Sequence, residues 1–254
     1  MKLLIFSDLH LEFKNPFKCP AEDKGDVLIL AGDIVTFKNL DPLEDFLKDW
    51  NNKPILFVAG NHEYYTNDSM AKGEQKLVEF ITNRKPNMTW LNNTAVTLGD
   101  VEVFGGTMWT DFNKSNPIDM MIASTSMSDY RIIRNNSFGK LRPEDTVELH
   151  QEYKDKLEEW LQQNASRKRV VISHHAPTVN PKTKFGSSKL APAFNSLDMV
   201  KVIEHYQPEL WVFGHTHEAD DHLIGKTRIV SNPYGYHNYD SVEGFAPNGL
   251  QINI

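Results

Sequence analysis

Short apolar runs recur along the chain and predict the strands of buried sheets. Continuous runs rich in Ile, Val, Leu and Phe are typical of central strands covered on both faces. Five such runs are Leu3–Phe6, Val27–Leu30, Ile55–Val58, Val170–Ile172 and Leu210–Phe213. Three further segments predict additional strands, the last of them at a sheet edge: Val101–Phe104, Thr227–Val230 and Leu250–Ile254.

Between these runs, apolar residues repeat at helical spacing. Asp41 as N-cap and Pro42 as the first helical residue begin one predicted helix. Three more are predicted over Met70–Arg84, Pro143–Gln163 and Ser196–Tyr206. Alternating strands and helices indicate an α/β fold. Asp111–Arg142 and Ala176–Asn195 lack a clear period, so we expect functional loops there. No repeat or linker interrupts the pattern, which predicts one domain over residues 1–254.

Composition narrows the class of protein. Of the 254 residues, 40% are apolar and 24% charged, as in ordinary globular proteins. The net charge of −7, without a block of like charges, argues against an extended nucleic-acid partner. The single cysteine, Cys19, excludes an internal disulfide and a cysteine-rich zinc site. Neither a secretory signal nor a membrane span is evident, so we expect a cytoplasmic protein without a membrane partner.

Polar residues that can bind a metal follow each of the five apolar runs. In chain order they are Asp8 and His10; Asp33; Asn61, His62 and Glu63; His174 and His175; His215 and His217. In open α/β sheets, sites form at the carboxyl ends of the strands, so we expect these side chains to converge. Imidazole, carboxylate and amide donors without a thiolate favour Mn, Fe, Zn or Ni. Seven candidate ligands suit two ions, roughly 3.5–4 Å apart, that share a carboxylate.

The motifs and their order resemble the calcineurin-like metallophosphoesterase family. The resemblance is carried by Asp8-x-His10, Gly32-Asp33, Gly60-Asn61-His62-Glu63, Ser173-His174-His175 and Gly214-His215-Thr216-His217. It spans most of the chain, from residue 8 to residue 217. It implies a four-layer α/β/β/α sandwich, in which two mixed β-sheets pack face to face and helices lie outside both.

The resemblance also implies a role for each motif. The first metal would be bound by Asp8, His10 and His217, the second by Asn61, His174 and His215, with Asp33 bridging the two. His62 would face the substrate as general acid or transition-state donor. Two adjacent histidines leave the ligand of their motif open. We expect His174, which directly follows the apolar run, with His175 behind the ligands.

These roles predict a metal-dependent phosphoric ester hydrolase. Two divalent ions outweigh the charges of Asp8 and Asp33, so the site stays positive and favours a phosphate. A metal-bridging hydroxide would attack a phosphate mono- or diester while His62 protonates the leaving oxygen. We expect a small phosphorylated substrate and choose manganese for assay. Whether the substrate is a monoester or a diester, and which oligomer forms, stay open.

Other interpretations stay open as well. One is a nuclease that acts on short or single-stranded nucleic acid, and another is a non-catalytic binding module on the same fold. A third is a mononuclear zinc hydrolase of amides. Arg131, within Asp111–Arg142, is a candidate phosphate clamp because guanidinium pairs with phosphate in a bidentate fork. The segment from Asn232 to His237 is a candidate for placing an aromatic ring beside the leaving group.

Overall fold

The protein, described by a computed structural model over residues 1–163 and 166–254, contains two mixed β-sheets. The first has the strand order β11 (Leu250–Asn253), β1 (Lys2–Phe6), β2 (Val27–Ala31), β3 (Ile55–Val58) and β4 (Met88–Trp90). The second has the order β5 (Thr94–Leu98), β6 (Val101–Gly106), β7 (Lys168–Ser173), β8 (Leu210–Phe213), β10 (Thr227–Ser231) and β9 (Asp220–Ile224). The edge strands β11, β5 and β9 pair antiparallel with their neighbours, whereas β1, β2 and β3 are parallel, as are β6, β7, β8 and β10.

Alternation along the strands divides the apolar core into layers. In β1, Leu3 and Ile5 pack into the layer between the two sheets, whereas Leu4 and Phe6 pack into the layer under the helices. Successive side chains of a strand point to opposite faces, which is why a continuous apolar run fills both layers. The second sheet has its own outer layer, centred on Trp211. The predicted four-layer α/β/β/α sandwich is confirmed.

Helices cover the outer faces of both sheets. The longer ones are α1 (Asp41–Phe46), α2 (Met70–Arg84), α4 (Pro117–Ser126), α6 (Pro143–Gln162) and α8 (Met199–Tyr206). Short ones are α3 (Phe112–Ser115), α5 (Asp129–Ile132) and α7 (Ala191–Phe194), with 3₁₀ turns at Leu11–Phe13, Glu22–Lys24 and His62–Tyr64. Helix α3 is a left-handed turn, since all four of its residues have positive φ. Among the described residues, no helix has both the length and the apolar character needed to cross a membrane.

The predicted strands and helices are present, with corrections at some boundaries. Asp41 is the first residue of α1 rather than its N-cap, a position that Leu40 occupies. The helix predicted from Ser196 begins at Met199. The long helix predicted to end at Gln163 ends one residue earlier, at Gln162. Helix α2 has the predicted bounds. Ser69 caps its N-terminus, where its side chain accepts a hydrogen bond from Lys72 N–H.

The prediction of a structureless loop over Asp111–Arg142 is wrong. Helix α4 occupies ten of these residues. The side chain of Asn116 accepts hydrogen bonds from the backbone N–H groups of Ile118 and Asp119, and Pro117 is the first helical residue. An asparagine cap followed by proline is a strong start signal for a helix. The second segment, Ala176–Asn195, is irregular up to the short helix α7.

The carboxyl ends of the central strands meet at one edge of the sandwich. Backbone hydrogen bonds join the loops that follow them. Asp8 N–H donates to Gly32 O over 3.0 Å, and Gly214 N–H donates to His174 O over 2.9 Å. Pro233 also forms an isolated bridge with Ser7. These contacts join the loops after β1, β2 and β10, and those after β7 and β8. The predicted metal-binding residues lie on the loops after β1, β2, β3, β7 and β8.

Candidate metal centre

The seven predicted ligands converge into two groups that meet at Asp33. The first group consists of Asp8, His10 and His217. His217 Nε2 lies 3.2 Å from His10 Nε2 and 3.6 Å from Asp8 Oδ1. Three donor atoms from two loops, those after β1 and β8, thus face a common point.

The second group consists of Asn61, His174 and His215. His174 Nε2 lies 3.1 Å from Asn61 Oδ1 and 3.2 Å from His215 Nδ1. Asp33 faces both groups, because its Oδ1 is 3.3 Å from His174 Nε2 and its Oδ2 is 3.9 Å from His10 Nε2. The bridging position that the sequence suggests for Asp33 is therefore geometrically available.

Hydrogen bonds behind the rings determine which imidazole nitrogen faces each group. In His10, Nδ1 lies 3.3 Å from Glu12 Oε1. In His217 it lies 2.6 Å from Asp240 Oδ2, and in His174 it lies 3.0 Å from Ala31 O. Carboxylate and carbonyl oxygens only accept, so each Nδ1 carries a proton, and each Nε2 presents a lone pair when its ring is neutral. His10 and His217 therefore direct lone pairs at each other, an arrangement that a shared cation satisfies.

The donor set fits two divalent cations. Oδ2 of Asp8 is buried and has no hydrogen-bond partner among the described residues, so it offers a free acceptor. A carboxylate shared between two sets of neutral nitrogen and amide oxygen donors is the composition of a dinuclear site. Donors of this kind suit Mn, Fe, Zn and Ni.

Electrostatic interactions shift the pKa values of the site residues in different directions. Burial raises the pKa of Asp33, but the neighbouring charges of His174 and His62 outweigh burial and hold that pKa well below its usual value. Burial lowers the pKa of His174, yet the charge of Asp33 and their hydrogen bond raise it to about 9. Burial lowers the pKa of His215 well below the ordinary value, helped by the charges of His175 and His174. His215 is therefore a neutral imidazole, the form that binds metals.

The backbone is strained where it carries these side chains. Positive φ angles occur at Asp8, His10, Asp33, His215 and His217. A left-handed conformation costs a non-glycine residue on the order of 1–2 kcal/mol and persists where the surrounding structure enforces it. Five of the seven predicted ligands are held in this way, so the loops impose sharp bends that aim the side chains inward.

Glycines next to the ligands permit close approach. Gly32 has φ +84°, and a Cβ atom there would overlap the ring of His174. At Gly214 a Cβ atom would lie 2.7 Å from Asp8 Oδ2. The ligands of one loop thus pack directly against the backbone of the next, which explains why glycine precedes Asp33 and His215.

His62 lies beside both groups with partners on each nitrogen. Its Nδ1 is 3.3 Å from Glu12 Oε1 and its Nε2 is 3.0 Å from the hydroxyl of Tyr236. Tyr65 stacks on the ring, with centroids 4.3 Å apart. Burial lowers the pKa of His62, but the charge of Asp33 and the hydrogen bond to Glu12 raise it to about 9. Distance alone also permits a ligand role, since His62, His10 and Asp33 could form a third metal-binding group.

The side chain of Glu63 joins the loop after β2 to the loop after β3. Its buried carboxylate accepts hydrogen bonds from the backbone N–H groups of Asp33, Ile34, Val35 and Gly60 over 2.7–3.2 Å. Burial and the charge of Asp33 raise the pKa of Glu63 to about 8, whereas these hydrogen bonds act in the opposite direction. The fourth residue of the Gly60–Glu63 motif thus fixes the loop after β2 against the loop after β3.

Two other predicted residues lie outside the groups. His175 N–H and Nδ1 both lie 3.3 Å from Thr107 O, and its ring packs on His215 with centroids 4.1 Å apart. The structure thus brings His174 into the second group and places His175 behind it. Arg131 is exposed and donates to Ser128 Oγ, so its role as a phosphate clamp stays a prediction.

Several supporting side chains escape the motif pattern. Glu12, Asp129 and Asp240 each contact a motif histidine or asparagine. Glu12 lies only two residues after His10, so its spacing was a usable signal. Asp129 lies two residues before Arg131, and no motif or period marks it. In the segment after β10, the hydroxyl of Tyr236 contacts His62, and a position of its ring beside the leaving group stays a prediction.

Comparison with known proteins gives related sequences and related folds. A protein of unknown role from Acanthamoeba polyphaga mimivirus is 28% identical over 277 positions, covering 93% of this chain and 92% of the relative. A UPF0046 protein of Caenorhabditis elegans is 25% identical over 241 positions, covering 91% of this chain and 69% of the relative. The phosphopantetheinyl hydrolase of Mycobacterium tuberculosis has a similar fold, with a TM-score of 0.70 at 17% identity, covering 92% of this chain and 89% of that one.

A sequence model of one family covers the site. The model for the calcineurin-like phosphoesterases matches residues 1–219, which include every predicted ligand. This family implies divalent metal ions, in agreement with the two groups of donors around Asp33. The chain belongs to the calcineurin-like phosphoesterase family.

Proposed function

We propose that the protein hydrolyses a phosphate mono- or diester of a small substrate, with two divalent ions held by the two groups. The observation that carries this proposal is the position of Asp33 between them, with His62 alongside. When bound, two such ions supply positive charge for the phosphate and activate water as the nucleophile. The first group would hold one ion, the second the other, and Asp33 both.

His62 supplies the proton for the leaving oxygen. Its Nδ1 is turned to Glu12 and its Nε2 to the hydroxyl of Tyr236. The exposed ring of Phe13 lies 6.3 Å from the ring of His62 and 5.9 Å from that of Tyr236. Stacking on Tyr65 fixes the plane of the imidazole. A positioned imidazolium of this kind contributes typically 10²–10⁴-fold to the rate.

A small substrate agrees with the charge of the protein and with one fold relative. The net charge of −7 does not favour an extended polyanion. The fold resembles that of a phosphopantetheinyl hydrolase, although 17% identity does not transfer its substrate. We therefore include a phosphopantetheinyl ester among the candidate substrates, beside simple esters and nucleotides.

The test combines metal content with a substrate panel. Protein stripped with a chelator and then reconstituted with Mn²⁺ should bind two equivalents. It should hydrolyse at least one ester among chromogenic monoesters, chromogenic diesters, nucleotides and a phosphopantetheinyl ester, and prefer that ester to a single-stranded oligonucleotide. The stripped protein without Mn²⁺ is the matched control and should be inactive.

Three outcomes would contradict the proposal. One equivalent of metal would favour a mononuclear hydrolase, and none would favour a binding module. Preferential cleavage of the oligonucleotide would favour the nuclease.

A further inference from the structure

The short helix α5 places a buried carboxylate behind the second group. Asp129 is 1% exposed, and its Oδ1 accepts a hydrogen bond of 2.8 Å from Asn61 Nδ2. The hydroxyl of Tyr65 donates to the same oxygen over 2.5 Å. One carboxylate oxygen thus contacts both a predicted metal ligand and the tyrosine that stacks on His62.

The bond to Asn61 matters because a side-chain amide has two unlike ends. Its oxygen accepts and can bind a cation, whereas its NH₂ group only donates. In the structure the oxygen lies 3.1 Å from His174 Nε2, toward the metal side, and the NH₂ group points to Asp129. Rotating the amide by half a turn would set its oxygen against the carboxylate and turn its NH₂ group toward the metal.

Helix α5 is fixed on both sides, so the position of Asp129 follows from the fold. Backbone N–H of Met70, the first residue of α2, donates to Arg134 O just after α5. The hydroxyl of Tyr130 lies 3.4 Å from Thr146 Oγ1 on α6. Ile133, at the C-terminal end of α5, is fully buried. The carboxylate is thus held between two long helices.

We propose that Asp129 is a positioning residue that orients the amide of Asn61 toward the second metal. It does so by occupying the donor end of the amide and leaving the oxygen free. The same oxygen of Asp129 holds Tyr65, and through it the plane of the His62 ring. This inference rests on the proposed function, because it takes Asn61 as a ligand.

The test is a loss and a rescue, both measured as Mn²⁺ affinity by calorimetry. Asp129→Ala should lower the affinity of the second group for Mn²⁺ by about 10–100-fold, the usual effect of losing a residue that supports a ligand. The affinity of the first group should stay nearly unchanged. Adding Asn61→Asp to Asp129→Ala should restore most of the affinity, because a carboxylate presents an oxygen in either orientation. A purely structural role would not be rescued by this second change.

Further variants cover misfolding and charge. Asp129→Asn keeps the shape of the side chain and one acceptor oxygen, so its Mn²⁺ affinity should lie between those of the wild type and Asp129→Ala. Tyr65→Phe keeps the ring on His62, and since it leaves the bond between Asn61 and Asp129 intact, both affinities should stay close to wild type. A thermal melt of each variant establishes that it is folded.

The inference and the proposed function fail in different ways. Wild-type protein that binds fewer than two Mn²⁺ would overturn the proposed function. Wild-type protein that binds two, together with an unchanged Asp129→Ala variant or no rescue by Asn61→Asp, would overturn only the role of Asp129. An Asp129→Asn variant as weak as Asp129→Ala would attribute the effect to charge rather than orientation, and would also overturn it.

Discussion

The two ligand groups differ in burial and in what supports them. Asn61, His174 and His215 of the second group are all buried, whereas in the first group 18% of the His217 side chain is exposed. Behind the second group lie the backbone carbonyl of Ala31 and the buried Asp129. Behind the first lie Glu12 and the exposed Asp240.

From this difference in burial we expect the two groups to have different roles in metal binding and substrate access. The second group is built into the sandwich, so it should hold its ion firmly and change little between substrates. The first group opens to solvent beside Phe13, which is 53% exposed, and Tyr236, which contacts His62. The substrate should therefore enter, and its leaving group should lie, on the side of the first group.

Replacing Asp33, which lies between the two groups, should affect both groups alike and cause the largest loss of metal and activity. Asp33→Asn removes the carboxylate that faces both groups, so both ions should be lost and activity should fall to background. The loss should exceed the roughly 10–100-fold effect of removing a supporting residue. Metal analysis and turnover of the best ester are the measurements. A variant that keeps one tightly held ion would show that one group does not need Asp33.

Removing the acid should leave both groups intact and affect only the chemistry. His62→Ala should retain two Mn²⁺ and lower kcat by roughly 10²–10⁴-fold. The loss should shrink for esters with very acidic leaving groups, which depart without a proton. Comparing nitrophenyl and alkyl esters measures this dependence. An equal loss for every ester would count against the acid role, and loss of an ion would make His62 a ligand.

The sequence predicts the ligands better than their supports. Asp8, Asp33 and His174 directly follow or closely adjoin apolar strands, and parallel strands bring their carboxyl ends together, so a local pattern suffices. Asp240 reaches the site from a loop and Asp129 from the short helix α5, both far in sequence from the strands that carry the ligands, and no period marks them. Only the folded arrangement shows that they contact His217 and Asn61.

The fold, like the site, is predicted by the sequence only in part. The buried strands are evident as apolar runs, but the sequence pattern does not predict the strands Met88–Trp90, Thr94–Leu98 and Asp220–Ile224. These three are edge strands, with β5 and β9 mostly exposed or half-buried, so they lack an apolar run. The apolar pattern does not predict helix α4, although Asn116 and Pro117 mark its start.

A substitution of Asp240, which supports the first group, should increase the difference in Mn²⁺ affinity between the two groups. Asp240 Oδ2 lies 2.6 Å from His217 Nδ1 and accepts a hydrogen bond from Tyr236 N–H. Asp240→Asn should weaken the first Mn²⁺ by about 10–100-fold and spare the second. Calorimetry resolves the two affinities. Asp221→Asn, the same change at an exposed carboxylate paired with Arg228, is the matched control. Equal weakening of both ions would refute the independence of the two groups.

The smallest effect should come from the open side of the first group. The exposed ring of Phe13 lies 5.9 Å from those of His10 and Tyr236, at the end of a 3₁₀ turn flanked by left-handed residues. An aromatic contact contributes about 0.5–1.5 kcal/mol, so Phe13→Ala should raise KM for aryl esters by roughly 2–10-fold. Methyl esters should be unaffected, because they present no ring to this surface. Phe138→Ala, at another exposed phenylalanine, should change neither value. If KM rose equally for aryl and methyl esters, Phe13 would act on the site in general, and the leaving group would not lie beside the first group.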